Sequence, residues 1–169
     1  MSLPLDNKVA QSGLISIDLA SFINSDDIMM FDIKPFLFME LILKEKDFRA
    51  SLSAFDFSVY TNKVVGIFCS ADAIIPMWAN MLLASALNPF AKAVYFGTED
   101  IVREQLIMDA IQKVDTTDYI DQRVVIKGCG ETPIAASAYI AITQKLRPVV
   151  KSIMYGEPCS TVPVYKRKD

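Results

Sequence analysis

Residues 63–96, KVVGIFCSADAIIPMWANMLLASALNPFAKAVYF, decide the fold class. The runs at 63–68 and 93–96 are short and apolar, and neither alternates polar with apolar residues. Between them, residues 75–87 carry no charge and are long enough for about three turns of helix. Strands without polar alternation that flank a helix are typical of a parallel sheet covered on both faces.

The same rhythm continues toward the C-terminus. Apolar runs at 123–127 and 152–155 predict two more strands, and helices are predicted over 99–114 and 132–146. The spacing is about 30 residues per strand–helix unit, as parallel β-α-β units require. We see no similarity between the units in sequence, so we expect a regular fold and not a repeat array.

Toward the N-terminus, two short strands are predicted over 14–19 and 28–33, and then a helix from Pro35 to about Ala54. The sequence therefore predicts an α/β fold. We expect a single three-layer domain with a mainly parallel sheet of about four strands, plus this N-terminal strand pair and helix.

One domain is expected over residues 1–169, because domains commonly contain about 100–200 residues. Residues 1–12 are expected to be irregular or partly derived from a tag. The basic end, 166–168, is interpreted as a frayed terminus.

Composition excludes several classes of function. The 169 residues have a net charge of −3 and contain no histidine. Catalytic triads, Cys-His pairs and histidine metal ligands are therefore excluded. An apolar content of 52% and a mean hydropathy of +0.30 exclude a disordered chain. A pI near 5.0 argues against nucleic-acid binding, which needs a basic surface.

Two observations predict a cytoplasmic protein without a membrane span. No basic segment followed by an apolar one opens the chain, so no secretory signal is expected. Residues 73–91 are uncharged, but Pro76 and Pro89 leave about a dozen helical residues, too few to cross a bilayer. In a reducing compartment, all three cysteines would be free or bound to metal.

The three cysteines give the candidate site. Cys69, Cys129 and Cys159 each follow a predicted strand, so parallel strands would bring all three to one edge of the sheet, where α/β proteins bind ligands. We predict a metal site formed by these thiols, with Asp72 and Glu131 as accessory ligands. A sulfur-rich shell favours zinc or an iron–sulfur cluster.

Three alternatives remain open. The cysteines can be small buried hydrophobic residues, as is common in α/β cores. Cys129 can be the nucleophile of an enzyme acting on a small molecule, with Glu131 or Asp72 as the base. The chain can also be an oligomeric scaffold or interaction protein with structural cysteines. No Cys-x-x-Cys motif is present, so zinc ribbons and thioredoxin-like motifs are excluded.

A homodimer is predicted from the helix over residues 76–87. This helix has too few polar positions for an ordinary surface helix, so either both flanks are covered within the monomer or one flank meets a second chain, and we predict the second. Its large apolar residues are Met77, Trp78, Met81, Leu82 and Leu83.

Four segments resemble a known family: 43–49 (LKEKDFR), 68–76 (FCSADAIIP), 124–129 (VVIKGC) and 156–166 (GEPCSTVPVYK). They are similar to an uncharacterised Bacteroidetes family, domain of unknown function 2480, over essentially the whole chain. The resemblance implies a bacterial, cytoplasmic protein. It brings no catalytic or binding residues with it.

Overall fold

A computed structural model of the chain describes residues 13–22, 27–127, 133–157 and 160–168. These residues form seven strands and four α-helices, which confirms the predicted α/β class. The strands are β1 (Leu14–Ile17), β2 (Ile28–Asp32), β3 (Val64–Phe68), β4 (Ala93–Phe96), β5 (Arg123–Ile126), β6 (Ser152–Glu157) and β7 (Ser160–Lys166). The helices are α1 (Glu45–Ala54), α2 (Met77–Leu87), α3 (Glu99–Lys113) and α4 (Ala136–Leu146).

The chain divides into two compact units, each with its own sheet. We call Asn24–Gln105 the inserted unit, and Met1–Ile23 together with Leu106–Asp169 the split unit. The boundary between the units falls within α3. A single domain over residues 1–169 stays a prediction, and residues 1–12 lie outside the described part of the chain.

In the inserted unit, three parallel strands lie in the order β2-β3-β4. One face of this sheet presents Phe31 and Val65 to α1 and α2 in a buried apolar cluster. The other face carries Gly66, where an added Cβ would lie 2.6 Å from Sδ of Met30 and 2.8 Å from Cγ2 of Val102 on α3. Glycine therefore lets this face lie close to α3, and helices cover both faces.

In the split unit, the order is β1-β5-β6-β7. The first three strands are parallel, and β7 runs antiparallel to β6. A second buried cluster joins this sheet to α3 and α4 through residues such as Ile111, Val124 and Ile142. The split unit is therefore a mainly parallel sheet with α3 and α4 packed on it.

The strand partners differ from the prediction of one sheet with an N-terminal strand pair. β1 pairs with β5 and β2 pairs with β3, so the two N-terminal strands belong to different sheets. Apolar runs show that strands are buried and parallel. They do not specify partners, because parallel pairing joins strands that are far apart in sequence.

The helix predicted from Pro35 begins ten residues later, at Glu45. Met39 and Glu40 adopt left-handed φ values of 51° and 57°, and the N–H of Phe38 donates to the carbonyl of Ile42 at 2.7 Å. This tight turn interrupts a pattern that resembles a continuous helix.

In the described part of the chain, no helix is long and apolar enough to cross a membrane.

The C-terminal end also differs from the prediction. Residues 160–166 form β7, and the N–H of Arg167 donates to the carbonyl of Lys151 at 2.9 Å. The guanidinium of Arg167 lies 2.5 Å from a carboxylate oxygen of Asp121. The basic residues 166 and 167 are therefore tied to the sheet and do not form a frayed end.

The two units repeat one arrangement of elements. Adding 59 to the residue numbers of β3, α2 and β4 gives β5, α4 and β6, and adding 59 to α1 gives the second part of α3. The first strand is β1 in the split unit and β2 in the inserted unit, and these two strands correspond at a shift of 14. β1 pairs with β5 in the same register in which β2 pairs with β3. The corresponding buried pairs are Ile17/Phe31, Leu19/Ile33, Ile107/Phe48, Ile111/Leu52, Val124/Val65, Ile126/Ile67, Ala138/Ala79, Ile142/Leu83 and Leu146/Leu87.

Hydrogen bonds outside the helices follow the same shift. The N–H of Asn62 donates to Phe90 at 3.0 Å, and that of Asp121 donates to Val149 at 2.9 Å. Asn62 and Asp121 share the left-handed region, with φ values of 61° and 59°. The two units therefore form a twofold structural repeat, which does not contradict the expectation that the chain is not a repeat array. Few corresponding residues are identical, because most core pairs exchange one apolar side chain for another.

Candidate functional site

The carboxyl edge of the inserted unit's sheet carries Asp32, Cys69 and Ser70. Asp32 ends β2, and the other two residues directly follow β3. The carboxylate of Asp32 accepts hydrogen bonds from the N–H of Ser70 at 3.0 Å and from its hydroxyl at 2.5 Å. The same carboxylate accepts from the N–H of Lys34 at 2.9 Å. Asp32 thereby ties together the connections that leave two neighbouring strands.

These contacts determine the charge of Asp32. Partial burial by itself raises the pKa of this carboxyl, but hydrogen bonds from Ser70 and Lys34, together with the Lys34 charge, outweigh it and lower the pKa below its ordinary value. Asp32 is therefore ionised at neutral pH. Donors of its own unit occupy three of its acceptor positions, so the role of Asp32 is structural: it joins the chain segments that follow β2 and β3.

Two of the predicted metal ligands lie on the connection after β3. Cys69 is half-buried and packs against the apolar cluster of the inserted unit, whereas Asp72 is exposed. Among the residues that the structure describes, no three His, Cys, Asp or Glu side chains form a group able to hold a metal ion.

The other predicted ligands, Cys129, Glu131 and Cys159, lie outside the described residues. The prediction of one site assumed that all three thiols share the edge of one sheet. β3 belongs to one sheet, and β5 and β6 belong to the other, so this argument does not join Cys69 to the other two cysteines. The three-cysteine site stays a prediction.

The repeat shows which sequence positions correspond at the two edges. The buried pairs Ile67/Ile126 and Ala79/Ala138 both correspond at the shift of 59, so the segments between them have the same length. Adding 59 to Ser70 gives Cys129, and adding 59 to Cys69 gives Gly128. Cys69 and Cys129 are therefore not equivalent, although each follows the middle strand of a parallel triplet.

The edge at which β5 and β6 end carries an aromatic pair. Ile126 lies opposite Tyr155, and the ring of Tyr155 packs edge-on against Tyr139 of α4 with 5.6 Å between ring centroids. The hydroxyl of Tyr139 donates to the carbonyl of Lys127 at 3.4 Å. This pair is not evident from the sequence, because Tyr139 looks like an ordinary residue of a buried helix.

An open groove of about 420 Å³ lies between α3 and α4. The ammonium group of Lys145, which lines it, donates to the carbonyl of Gln112. Among the residues that the structure describes, no thiol, carboxylate or hydroxyl lines the groove. Its lining residues are Met108, Ile111, Gln112, Ala141, Gln144 and Lys145.

Comparison with known proteins gives the family. No curated protein and no solved structure matches the chain. One family model, described as a protein of unknown function (DUF2480), matches residues 4–167 and so includes every strand and helix described above. The resemblance seen in the sequence is confirmed: the chain belongs to the DUF2480 family of proteins of unknown function.

Proposed function

We propose that the protein binds zinc or an iron–sulfur cluster through Cys129 and Cys159, at the carboxyl edge of the split unit's sheet. The observation that supports this is the pairing of β5 and β6, which are adjacent and parallel with Ile126 opposite Tyr155. Cys129 follows the end of β5 by three residues, and Cys159 follows the end of β6 by two. Open α/β sheets bind ligands at this edge.

The length of chain allows both thiols to reach one ion. An extended residue spans at most about 3.6 Å, so the α-carbon of Cys129 lies within roughly 11 Å of Ile126. By the same count, the α-carbon of Cys159 lies within roughly 7 Å of Glu157. Two thiolates on one zinc ion lie about 3.8 Å apart, because Zn–S bonds are about 2.3 Å long and tetrahedral.

The available donors favour a thiophilic metal. The chain has no histidine, so the remaining side-chain ligands are carboxylates, thiols and hydroxyls. Glu131 lies two residues from Cys129 and is the nearest predicted carboxylate in sequence. Cys69 and Asp72 belong to the inserted unit, and their part in the site stays a prediction. A reducing cytoplasm would keep the thiols free to bind metal.

Cobalt titration of reduced, metal-free protein under anaerobic conditions tests the proposal. Cobalt bound to thiolates gives an intense near-ultraviolet band that zinc abolishes by displacement. We expect Cys129→Ser and Cys159→Ser each to weaken cobalt binding at least about tenfold. Cys69→Ser tests the third predicted ligand: a retained band shows that Cys129 and Cys159 suffice, and a weakened band shows that Cys69 also binds the ion. Absence of the band in the wild-type chain, or its retention in both Cys129→Ser and Cys159→Ser, would contradict the proposal.

A second proposal concerns assembly: we propose that the protein is a homodimer in which apolar side chains of the inserted unit are covered. Met77 and Met81 are 74% and 71% exposed on α2, which carries no charged residue. Met39 and Leu41, in the tight turn before α1, are 76% and 62% exposed. Exposed apolar residues at this density are typical of interaction surfaces.

A further inference from the structure

The groove between α3 and α4 of the split unit has a counterpart between α1 and α2 of the inserted unit. Adding 59 to α2 gives α4, and adding 59 to Phe48 of α1 gives Ile107 of α3. In the inserted unit, the indole ring of Trp78 packs edge-on against Phe48, with 6.2 Å between ring centroids. The guanidinium of Arg49 lies 6.0 Å from the centroid of the same indole. An aromatic ring of α2 therefore covers the junction with α1.

The corresponding positions of the split unit carry smaller side chains. Ser137 stands where the inserted unit has Trp78, and Ala141 stands where it has Leu82. Met108, which lines the groove, is the counterpart of the arginine that lies near the indole ring. The exchange of two large side chains for small ones leaves an open space of about 420 Å³. Sites for small molecules typically have volumes of about 300–1,000 Å³.

The side chains that line this space suit a flat aromatic molecule. Met108, Ile111 and Ala141 give an apolar surface, and a thioether sulfur packs favourably against aromatic rings. The ammonium group of Lys145 donates to the carbonyl of Gln112, so it reaches from α4 to α3 at the groove. An ammonium group attracts the face of an aromatic ring, as a guanidinium does, and it repels a cationic ligand.

We propose that this groove binds a small planar aromatic molecule, neutral or anionic and of about the size of indole. The ring of the ligand takes the place that Trp78 takes in the inserted unit. The observation that carries this inference is the difference between the two units: one groove is filled by an aromatic ring of the chain itself, and its counterpart is open. The inference does not depend on the proposed metal site, because the predicted metal ligands do not line the groove.

Titration of the full-length protein with indole tests the proposal, with carbon-13 NMR of labelled methionine and isoleucine methyl groups as the readout. Met108 lines the groove, whereas Ile140 is 59% exposed on α4 and does not line it. We expect the methyl signal of Met108, assigned with Met108→Leu, to move and to saturate with a Kd at or below about 1 mM. Ile140 is the internal control, and its signal should not move.

Variants that exchange residues between the units test whether the groove is the site. Ser137→Trp/Ala141→Leu gives the split unit the two side chains of the inserted unit and should weaken indole binding at least about tenfold. Ala136→Trp adds the same ring at an exposed position of α4 and is the matched control, which should bind indole as wild type does. Trp78→Ser opens the groove of the inserted unit and should allow a second indole to bind to each chain.

The charge of the groove predicts a preference among ligands that carry the same ring. Indole-3-acetate should bind more tightly than tryptamine, because the ammonium group of Lys145 attracts a carboxylate and repels a second ammonium group. Lys145→Met should reduce this preference, since it keeps an apolar side chain of similar length without the charge. Tighter binding of tryptamine by the wild-type protein would contradict the proposed ligand class.

Four results would overturn the inference. The first is a Met108 signal that does not move with indole. The second is an equal movement of the Ile140 signal, which would show adsorption to any apolar surface. The third is unchanged affinity of Ser137→Trp/Ala141→Leu together with a single indole bound to Trp78→Ser. The fourth is a Met108 signal that moves when the protein is diluted without ligand, which would show that a second copy of the chain fills the groove.

Discussion

The carboxylate of Asp32 accepts hydrogen bonds from both the amide and the hydroxyl of Ser70, which lies 38 residues further along the chain. This contact involves the side chain of Asp32 and joins the ends of β2 and β3, at the point where the pairing of the two strands ends. It fixes the start of the connection that carries Cys69 and Asp72. The edge of the sheet is therefore ordered by a specific polar contact as well as by apolar packing.

Removal of this tie should destabilise the protein. We expect Asp32→Ala to lower the free energy of unfolding by about 1–3 kcal/mol, because three donors lose their acceptor. Ser70→Ala should cost less, since the N–H of residue 70 keeps its acceptor. Urea unfolding followed by circular dichroism measures both changes. Equal stability of Asp32→Ala and wild type would show that the contact contributes nothing.

Acid should weaken the fold through three aspartates. Hydrogen bonds lower the pKa of Asp56, mainly from the side chain of Ser58, and that of Asp115, mainly from the backbone of Thr117. The pKa of Asp32 is lowered as well. A lowered pKa in the folded state stabilises the fold above the unfolded value of 3.8, and this stability is lost as pH falls through the folded pKa. We therefore expect the urea concentration at the unfolding midpoint to decrease as the pH is lowered below about 4.

The control for this pH dependence is the chain in which all three of these aspartates are replaced by asparagine. Its midpoint should be lower than that of wild type at pH 7 and should change less between pH 5 and pH 2.5. An identical pH profile for the two proteins would show that these carboxylates do not carry the acid sensitivity.

The repeat predicts equivalent effects at corresponding core positions. Leu87 and Leu146 are both fully buried and end corresponding helices. Each change to alanine should cost about 2–5 kcal/mol of unfolding free energy, from lost burial and a cavity. Ile140→Ala, at a position 59% exposed and outside the proposed dimer surface, is the control and should change stability by less than about 0.5 kcal/mol. A loss below about 1 kcal/mol in either leucine variant would contradict the correspondence.

Gly66 should not tolerate a side chain. An added Cβ would lie 2.6 Å from Sδ of Met30 and 2.8 Å from Cγ2 of Val102, so Gly66→Ala should cost about 1–3 kcal/mol by overpacking. Met30→Ala in the same chain should recover part of this loss, because it removes the closest contact. Thermal unfolding of the single and double variants measures the effect. A Gly66→Ala protein as stable as wild type would show that α3 does not approach this strand so closely.

The homodimer is tested by light scattering. At micromolar concentration the wild-type mass should be twice 18.8 kDa, and Met81→Asp should shift it toward the monomer by placing a charge in the apolar surface. The exposed helix position Ser51, changed to aspartate, is the control and should leave the mass unchanged. A wild-type monomer at this concentration would contradict the proposal.

Local patterns predicted most of the elements but few of their partners. α2 and α3 were predicted to within two residues, because an uncharged run between prolines and an acidic first turn are signals contained in the helix itself. The turn at Met39 and Glu40 was missed, because neither residue favours a left-handed conformation. β7 was missed as well, since Pro163 and its exposed valines do not give a buried-strand pattern.

The candidate site was less predictable than the fold. The sequence places Cys129 and Cys159 after strands, and β5 and β6 are indeed neighbours. It could not show that Cys69 follows a strand of another sheet. It also gave no weight to Asp32, because an aspartate after a strand looks like any solvated loop residue. Ser70, which donates to Asp32, lies 38 residues away in sequence, and only the pairing of the strands brings the two together.

X-ray absorption at the zinc edge identifies the atoms that bind the metal at the proposed Cys129 and Cys159 site. Cys69→Ser protein, loaded with one equivalent of zinc under anaerobic conditions, retains only Cys129 and Cys159 as sulfur ligands. We expect two sulfur atoms at about 2.3 Å from the zinc ion, with oxygen ligands completing the shell. A zinc ion surrounded only by nitrogen and oxygen at about 2.0–2.2 Å would contradict it.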